Sequence, residues 1–278
     1  MTKIVEIDGI RVGGNEGLLL IAGPCVIESE EIAFSTAEKL AELSESLSIP
    51  IIYKSSYLKD NRSSSKSYQG PGLKEGLRIL SEVKKRYGLP LLSDVHSIEQ
   101  VAAAADVLDV VQIPAYLCMQ TELTLEVARR AKAVNIKKGQ FIAPENIKNV
   151  IQKIEEEGNT NIILTERGVS FGYKNLVVDM RAFQIMRNLG YPVVFDVTHS
   201  VRVYGIPSKD PKGGTPEFIP TLGRAGVAAG VDAVFIEAHP NPPEALCDAS
   251  SQWRLDDLEP LVAQLKSVHD LTRGFEQL

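Results

Sequence analysis

The chain has 278 residues, 44% of them hydrophobic and 24% charged, and its 30 Lys and Arg against 36 Asp and Glu leave a net charge of −6. That balance argues against a general nucleic-acid or anionic-membrane binder, which needs a basic surface, yet it leaves room for a small cationic pocket. No apolar run reaches the ~18 residues of a membrane span, the first residues lack the apolar core of a signal peptide, and Cys25, Cys118 and Cys247 form no disulfide framework. A reducing, cytoplasmic setting is therefore expected.

The chain opens with KIVEIDGIRV, which alternates about Asp8-Gly9, the signal of a type I′ hairpin. Residues 1–15 are read as a separate hairpin closing one end of the fold. Eight short runs rich in Val, Ile and Leu follow, at 18–25, 49–56, 90–96, 109–115, 134–141, 161–168, 192–200 and 232–240. Continuous apolar runs of this length suit strands buried on both faces of a parallel sheet. Helical patterns separate them. Residues 30–47 keep one face apolar behind Ser29, a side chain suited to capping, and segment 72–87 stops at Gly88. Eight β–α units in this order predict an α/β fold, a (β/α)₈ TIM barrel with the hairpin at its bottom, as one domain over 1–278. The rival, an open doubly wound sheet, usually carries a glycine fingerprint after its first strand. Here that strand ends GPCVIES, with Pro24 where a phosphate loop needs a free N–H.

The ends of the runs carry the chemistry. They hold Cys25, then Lys54, Ser55 and Ser56, Asp94 and His96, Gln112, Lys137 and Lys138, Glu166 and Arg167, Asp196 and His199, and Glu237 and His239. At one strand, polar residues would only mark the approach to solvent. Repeated around a barrel they converge on the C-terminal mouth, where such enzymes work. Lys54, Lys59, Lys137, Lys138 and Arg167 form a cationic set suited to a small phosphorylated, carboxylated ligand, although alternation allows only one of Lys137 and Lys138 to face it. Cys25, His199 and Glu237 end neighbouring strands, Asp248 lies in the loop after the last of them, and together they combine thiolate, imidazole and carboxylate, donors that suit Zn²⁺, Fe²⁺ or Mn²⁺. Cys247 adjoins Asp248 and is the thiol most easily mistaken for a ligand. Cys118 is expected to be inert. Two long polar loops, 59–72 and 204–217, lie on the same face and suit lids or phosphate binders.

Together the segments IAGPCVIESEE, KSS followed by KDNRSS, QIPA, NIKKGQF, LTERGVSFGY, FDVTHSV and FIEAHPNP resemble the 3-deoxy-D-manno-octulosonate 8-phosphate synthase family, in order from about Leu18 to Leu261. The related 3-deoxy-D-arabino-heptulosonate 7-phosphate synthases share GPC but look like KPRTS where this chain has KDNRSS. The resemblance implies a transferase that condenses phosphoenolpyruvate with D-arabinose 5-phosphate and water. The products would be the eight-carbon sugar acid phosphate and inorganic phosphate, on the route to lipopolysaccharide. It implies a cytoplasmic homotetramer without nucleic-acid or membrane partners. It places Lys54, Ser56, Lys59, Gln112, Ala115, Lys137 and Arg167 on phosphoenolpyruvate and Asn61, Arg62 and Ser63 on the acceptor's phosphate. Lys59, Lys137, His199 and Asp196 are the candidate catalytic groups. Cys25, with His199, Glu237 and Asp248, matches the metal-dependent subclass. Departures fall at Leu58, Asp60, Gln69, Met119 and Lys174; three of these, the lost cations at Gln69 and Met119 and the added carboxylate of Asp60, lie toward the acceptor's phosphate end. Another aldose phosphate, such as erythrose 4-phosphate, is thus one alternative, and a non-catalytic sugar-phosphate-binding barrel is another.

Overall fold

A computed structural model describes residues 2–60, 64 and 66–275. Two short strands, β1 (Val5–Ile7) and β2 (Ile10–Val12), pair antiparallel. Asp8 and Gly9 between them have φ of 48° and 84°, as a type I′ turn requires. The chain then alternates strand and helix. β3 (Leu19–Gly23), β4 (Ile51–Lys54), β5 (Leu91–Asp94), β6 (Val110–Ile113), β7 (Val134–Lys137), β8 (Ile162–Glu166), β9 (Val193–Asp196) and β10 (Ala233–His239) pair in parallel, each with the next. β10 returns to β3, with Glu237 opposite Gly23, and closes the barrel. Around it lie α1 (Glu30–Leu47), α2 (Leu73–Tyr87), α3 (Ile98–Val107), α4 (Thr121–Arg130), α5 (Lys148–Glu156), α6 (Arg181–Arg187), a single turn α7 (Val197–Ser200), α8 (Ile219–Ala228) and, after the two-residue β11 (Trp253–Arg254), α9 (Leu258–Arg273). None of these helices is long and apolar enough to cross a membrane.

Local chemistry sets the helix ends. Ser29 Oγ accepts from the backbone N–H of Ile32, and Glu30 and Glu31 occupy the first turn of α1, where the helix dipole favours negative charge. α2 closes on Gly88 at φ 69°, with Lys84, Lys85 and Arg86 in its last turn.

Two hydrophobic layers follow from the period of two along each strand. Leu20, Ala22, Tyr53, Leu91, Val111, Ile136, Leu164, Phe195 and Ile236 point outward and pack with the helices. Leu19, Ile21, Ile52, Leu92, Val110, Ala133, Ile163, Val194, Ala233 and Phe235 fill the barrel, and Val5, Ile7 and Val12 of the hairpin pack against them. Each Val, Leu, Ile or Phe among them stabilises the fold by roughly 1.5–3 kcal/mol when fully buried. The hairpin closes the bottom as expected, and Lys84 Nζ, 2.8 Å from Asp8, ties its turn to α2.

The strands are shorter than the apolar runs. The run at 192–200 stops being a strand at Asp196, whose carboxylate caps α7 by accepting from the His199 N–H at 2.9 Å. His199 therefore sits on a helical turn rather than on a strand.

Candidate active site

The inward column of each strand changes character near its C-terminal end. Ile52 is followed two residues on by Lys54, Leu92 by Asp94, Val110 by Gln112, Val194 by Asp196 and Phe235 by Glu237. The apolar plug ends there and a polar chamber begins. Gly23 takes the corresponding place on β3. A Cβ on it would lie 2.1 Å from the Lys54 carbonyl oxygen, so only glycine lets β3 and β4 approach this closely.

Above the plug is a cavity of about 700 Å³, lined in part by Lys54, Lys59, Lys137, Arg167, Gln112 and Ala115. The cationic set converges except for Lys138, as alternation along the strand expects of one lysine of the pair. Lys138 points the other way. It is fully buried outside the barrel, donates to the Gly139 and Ile142 carbonyls, and lies 3.3 Å from Glu166 Oε2. Glu166 is outward too, its Oε1 accepting from the N–H groups of Arg167 and Gly168. Ser56 is fully buried and is not among the residues lining the cavity; it donates to Asp94 at 2.5 Å and accepts from Lys54 at 3.2 Å. His239 turns aside to Glu28 at 3.6 Å. Asn61, Arg62 and Ser63 lie outside the described residues, but Lys59, Asp60, Ser67 and Tyr68 of the same loop line the cavity.

Lysines and carboxylates interlock here. Lys54 Nζ is 3.1 Å from Glu237 Oε1, and Lys59 Nζ is 4.0 Å from the same atom. Lys137 Nζ is 2.5 Å from Asp196 Oδ2, and His199 Nδ1 approaches that oxygen to 2.8 Å. Burial works to raise the Asp196 and Glu237 carboxyls, but His199 with Lys137, and His199 with Lys54 and Lys59, hold both far below the usual carboxylate range. Burial lowers Lys137 and His199, only partly opposed by Asp196. Asp94 stays well below its ordinary value despite burial, through His96, Lys54 and Lys59.

The expected metal donors gather around Asp248. His199 Nε2 is 3.7 Å from both Glu237 Oε2 and Asp248 Oδ2, and the Cys25 thiol donates to Asp248 Oδ2 at 3.6 Å. Donors about 2.0–2.3 Å from a tetrahedral metal stand about 3.3–3.8 Å apart, so the spacings about His199 suit an ion held by His199, Glu237 and Asp248, whose ligand atoms lie within 4.8 Å of one another, while Cys25 joins this set through Asp248. Glu237 Oε2 is buried without a hydrogen-bond partner among the described residues, as a ligand oxygen would be. His199 fits the same reading, one ring nitrogen facing the donor set and the other held by Asp196. Burial, with Cys247 and Glu237 alongside, pushes the Cys25 thiol well up.

Several participants escaped the sequence reading. Arg202 lines the cavity, 3.6 Å from Asp248 Oδ1 and donating to Ser250 Oγ at 3.1 Å. Tyr204 accepts through its hydroxyl from Arg167 at 2.7 Å and from Gln140 at 2.6 Å. Loop 204–217 therefore reaches the site through its first residues, Tyr204 to Lys209. Tyr204 opens the loop 204–217 that its polar composition marks as a lid or phosphate binder, whereas the only sequence signal for Arg202 is its place after the β9 strand end.

A model of the DAHP synthetase I family matches residues 1–273. A protein of Geobacter sp. (strain M21) named 2-dehydro-3-deoxyphosphooctonate aldolase is 54% identical over 268 residues, 96% of this chain and 98% of its own length. Proteins of the same name from Trichlorobacter lovleyi and Pelobacter propionicus are 54% identical over 273 residues and 55% over 268, covering 98% and 96% of this chain and 100% and 98% of theirs.

Proposed function

The chain belongs to the DAHP synthetase I family, and from its likeness to relatives named 2-dehydro-3-deoxyphosphooctonate aldolase we propose that it condenses phosphoenolpyruvate with D-arabinose 5-phosphate and water, forming 3-deoxy-D-manno-octulosonate 8-phosphate and inorganic phosphate. The observation that carries the reading is the convergence of Lys59 from the loop after β4, Lys137 from the end of β7 and Arg167 from just after β8 on one cavity beside the Asp248 donor cluster.

In this reading Lys54, Lys59, Lys137 and Arg167 hold the phosphate and carboxylate of the enol donor, with Gln112 and Ala115 on the wall and Ser56 fixing Lys54 by accepting its hydrogen bond. Arg167 can grip an anion through two N–H groups, and the lysines act as point charges. Asn61, Arg62 and Ser63 take the phosphate of the aldose. Held so, C3 of phosphoenolpyruvate forms the new C–C bond to the aldehyde carbon, and the aldehyde oxygen gains a proton and becomes a hydroxyl. Water adds at C2, losing a proton, and the phosphohemiketal breaks its C2–O bond to release phosphate and leave the ketone. Orienting two anionic substrates in one chamber is the larger part of the catalysis.

Cys25, His199, Glu237 and Asp248 would hold a divalent ion, Zn²⁺, Fe²⁺ or Mn²⁺, which supplies Lewis acidity when bound. Asp196 fixes the His199 ring and pairs with Lys137, so its part in proton handling runs through that lysine. Three free cysteines fit a reducing, cytoplasmic setting, and the exposed Phe141, Phe171 and Tyr173 along the rim fit a homotetramer of such one-domain chains.

The test is release of inorganic phosphate from phosphoenolpyruvate with arabinose 5-phosphate, with erythrose 4-phosphate, and with neither, before and after a chelator. Release that needs arabinose 5-phosphate and is lost on chelation is expected. Faster release with erythrose 4-phosphate overturns the acceptor, unchanged release after chelation overturns the metal, and no release with any aldose phosphate overturns the enzyme.

A further inference from the structure

Cys247 has no part in the proposed reaction, yet it stands in the donor cluster. The ligand atoms of Cys25, Cys247 and Asp248 all lie within 4.8 Å of one another, as do those of His199, Glu237 and Asp248. Asp248 belongs to both triplets, so the donors form two faces hinged on one carboxylate. One face is imidazole and carboxylate, and the other is two thiols and a carboxylate.

The backbone is built to hold the two sulfurs side by side. Gln252, buried, accepts from the Cys25 N–H through Oε1 at 3.1 Å and donates from Nε2 to the Cys247 carbonyl at 2.8 Å. One amide thus clamps both cysteine main chains. The residue before, Leu246, donates its N–H to Glu28 at 2.9 Å. The residue after, Asp248, sits at φ 47°, a left-handed backbone that a non-glycine side chain adopts at a cost and that clusters at functional sites. Cys25 is fully buried, whereas Cys247 lines the cavity and meets whatever enters it.

We infer that Cys247 is a second metal-binding thiol, giving the site a two-sulfur face that favours a thiophilic ion such as Zn²⁺ over a hard one such as Mg²⁺. The inference rests on the metal reading of the preceding section and extends it to a residue outside the four expected ligands.

Cobalt(II) is the probe. Metal-free protein, kept reduced with a phosphine, is titrated with Co²⁺, and the near-ultraviolet sulfur-to-cobalt charge-transfer absorption is read per bound ion. Each coordinating thiolate adds its own share, so Cys247→Ser and Cys25→Ser should each keep the cobalt and lose about half of the band. A full band in Cys247→Ser overturns the inference and leaves the metal reading intact. Failure of the wild type to bind cobalt overturns both. If Cys247→Ser does not fold, the ¹¹³Cd resonance of the unaltered protein decides, since a two-sulfur site resonates well downfield of a one-sulfur site. A one-sulfur shift overturns the inference.

Discussion

Lys137 and Lys138 are adjacent in sequence and point to opposite sides of the barrel wall, so replacing each by methionine should damage different properties. Lys137 lines the cavity, 2.5 Å from Asp196 and 4.2 Å above the Phe235 ring. A charge-assisted contact to a substrate anion is worth roughly 1.5–3 kcal/mol, so Lys137→Met should cost kcat/KM at least about tenfold. Lys138 is fully buried against Glu166, itself 1% exposed. Lys138→Met strands that carboxylate, a loss of about 3–5 kcal/mol for a buried pair. The Arg167 and Gly168 N–H groups still serve Glu166 Oε1, so the low end, about 3 kcal/mol, is expected. For a chain of this size that is a fall of roughly 6–12 °C in Tm. The double variant Lys138→Met, Glu166→Gln should regain part of it. The assays are phosphate release and thermal unfolding on the same preparations. A Lys138→Met protein that keeps its Tm and loses turnover would refute the register on which the site is built.

Tyr204→Phe removes the hydroxyl that accepts from Arg167 and Gln140. A hydrogen bond to a charged group is worth about 1.5 kcal/mol, so kcat/KM for phosphoenolpyruvate should fall about tenfold with little change in Tm, and unchanged kinetics would show that Arg167 is positioned without it. Asp94 has a carboxyl held below its ordinary value in the folded state, so between the folded and unfolded pKa the unfolded chain binds more protons and stability rises with pH. Its contribution is complete above the unfolded value of about 3.9 and is lost as pH falls below that. Asp94→Asn should be less stable than wild type at pH 7, and the gap should narrow toward pH 3 in denaturant titrations; parallel curves would count against the assignment.

Most of the barrel was legible because its strands are buried on both faces. Continuous runs such as IPIIY and PVVF leave few alternatives to a parallel sheet. The mouth was legible in outline for a related reason, since charge at the end of an apolar run is costly unless many ends meet. What the runs hid was direction. Alternation allows only one of Lys137 and Lys138 to face inward but does not by itself say which, and the outward pairing of Lys138 with Glu166 needs the register of both strands. Once the plug is known, counting inward residues from it, Ile52 to Lys54 or Val194 to Asp196, separates inward from outward. Tyr204 and Arg202 were harder. They reach the cavity from a loop, where no period constrains direction, and only tertiary packing brings Tyr204 to Arg167.

The chamber also divides its cations by availability. Lys54 faces Glu237, Lys137 faces Asp196 and Arg202 faces Asp248, so each is already compensated. Such pairs fix ammonium positions in advance, which serves geometry, but they subtract from the field a trianionic donor meets. Arg167 differs: among the described residues its side chain donates to the neutral hydroxyl of Tyr204 and forms no ion pair. In an acidic protein with a chamber rich in carboxylates, uncompensated charge is the scarce quantity. The guanidinium is therefore the group best placed to draw the anion in, and the paired lysines hold it in register once it arrives.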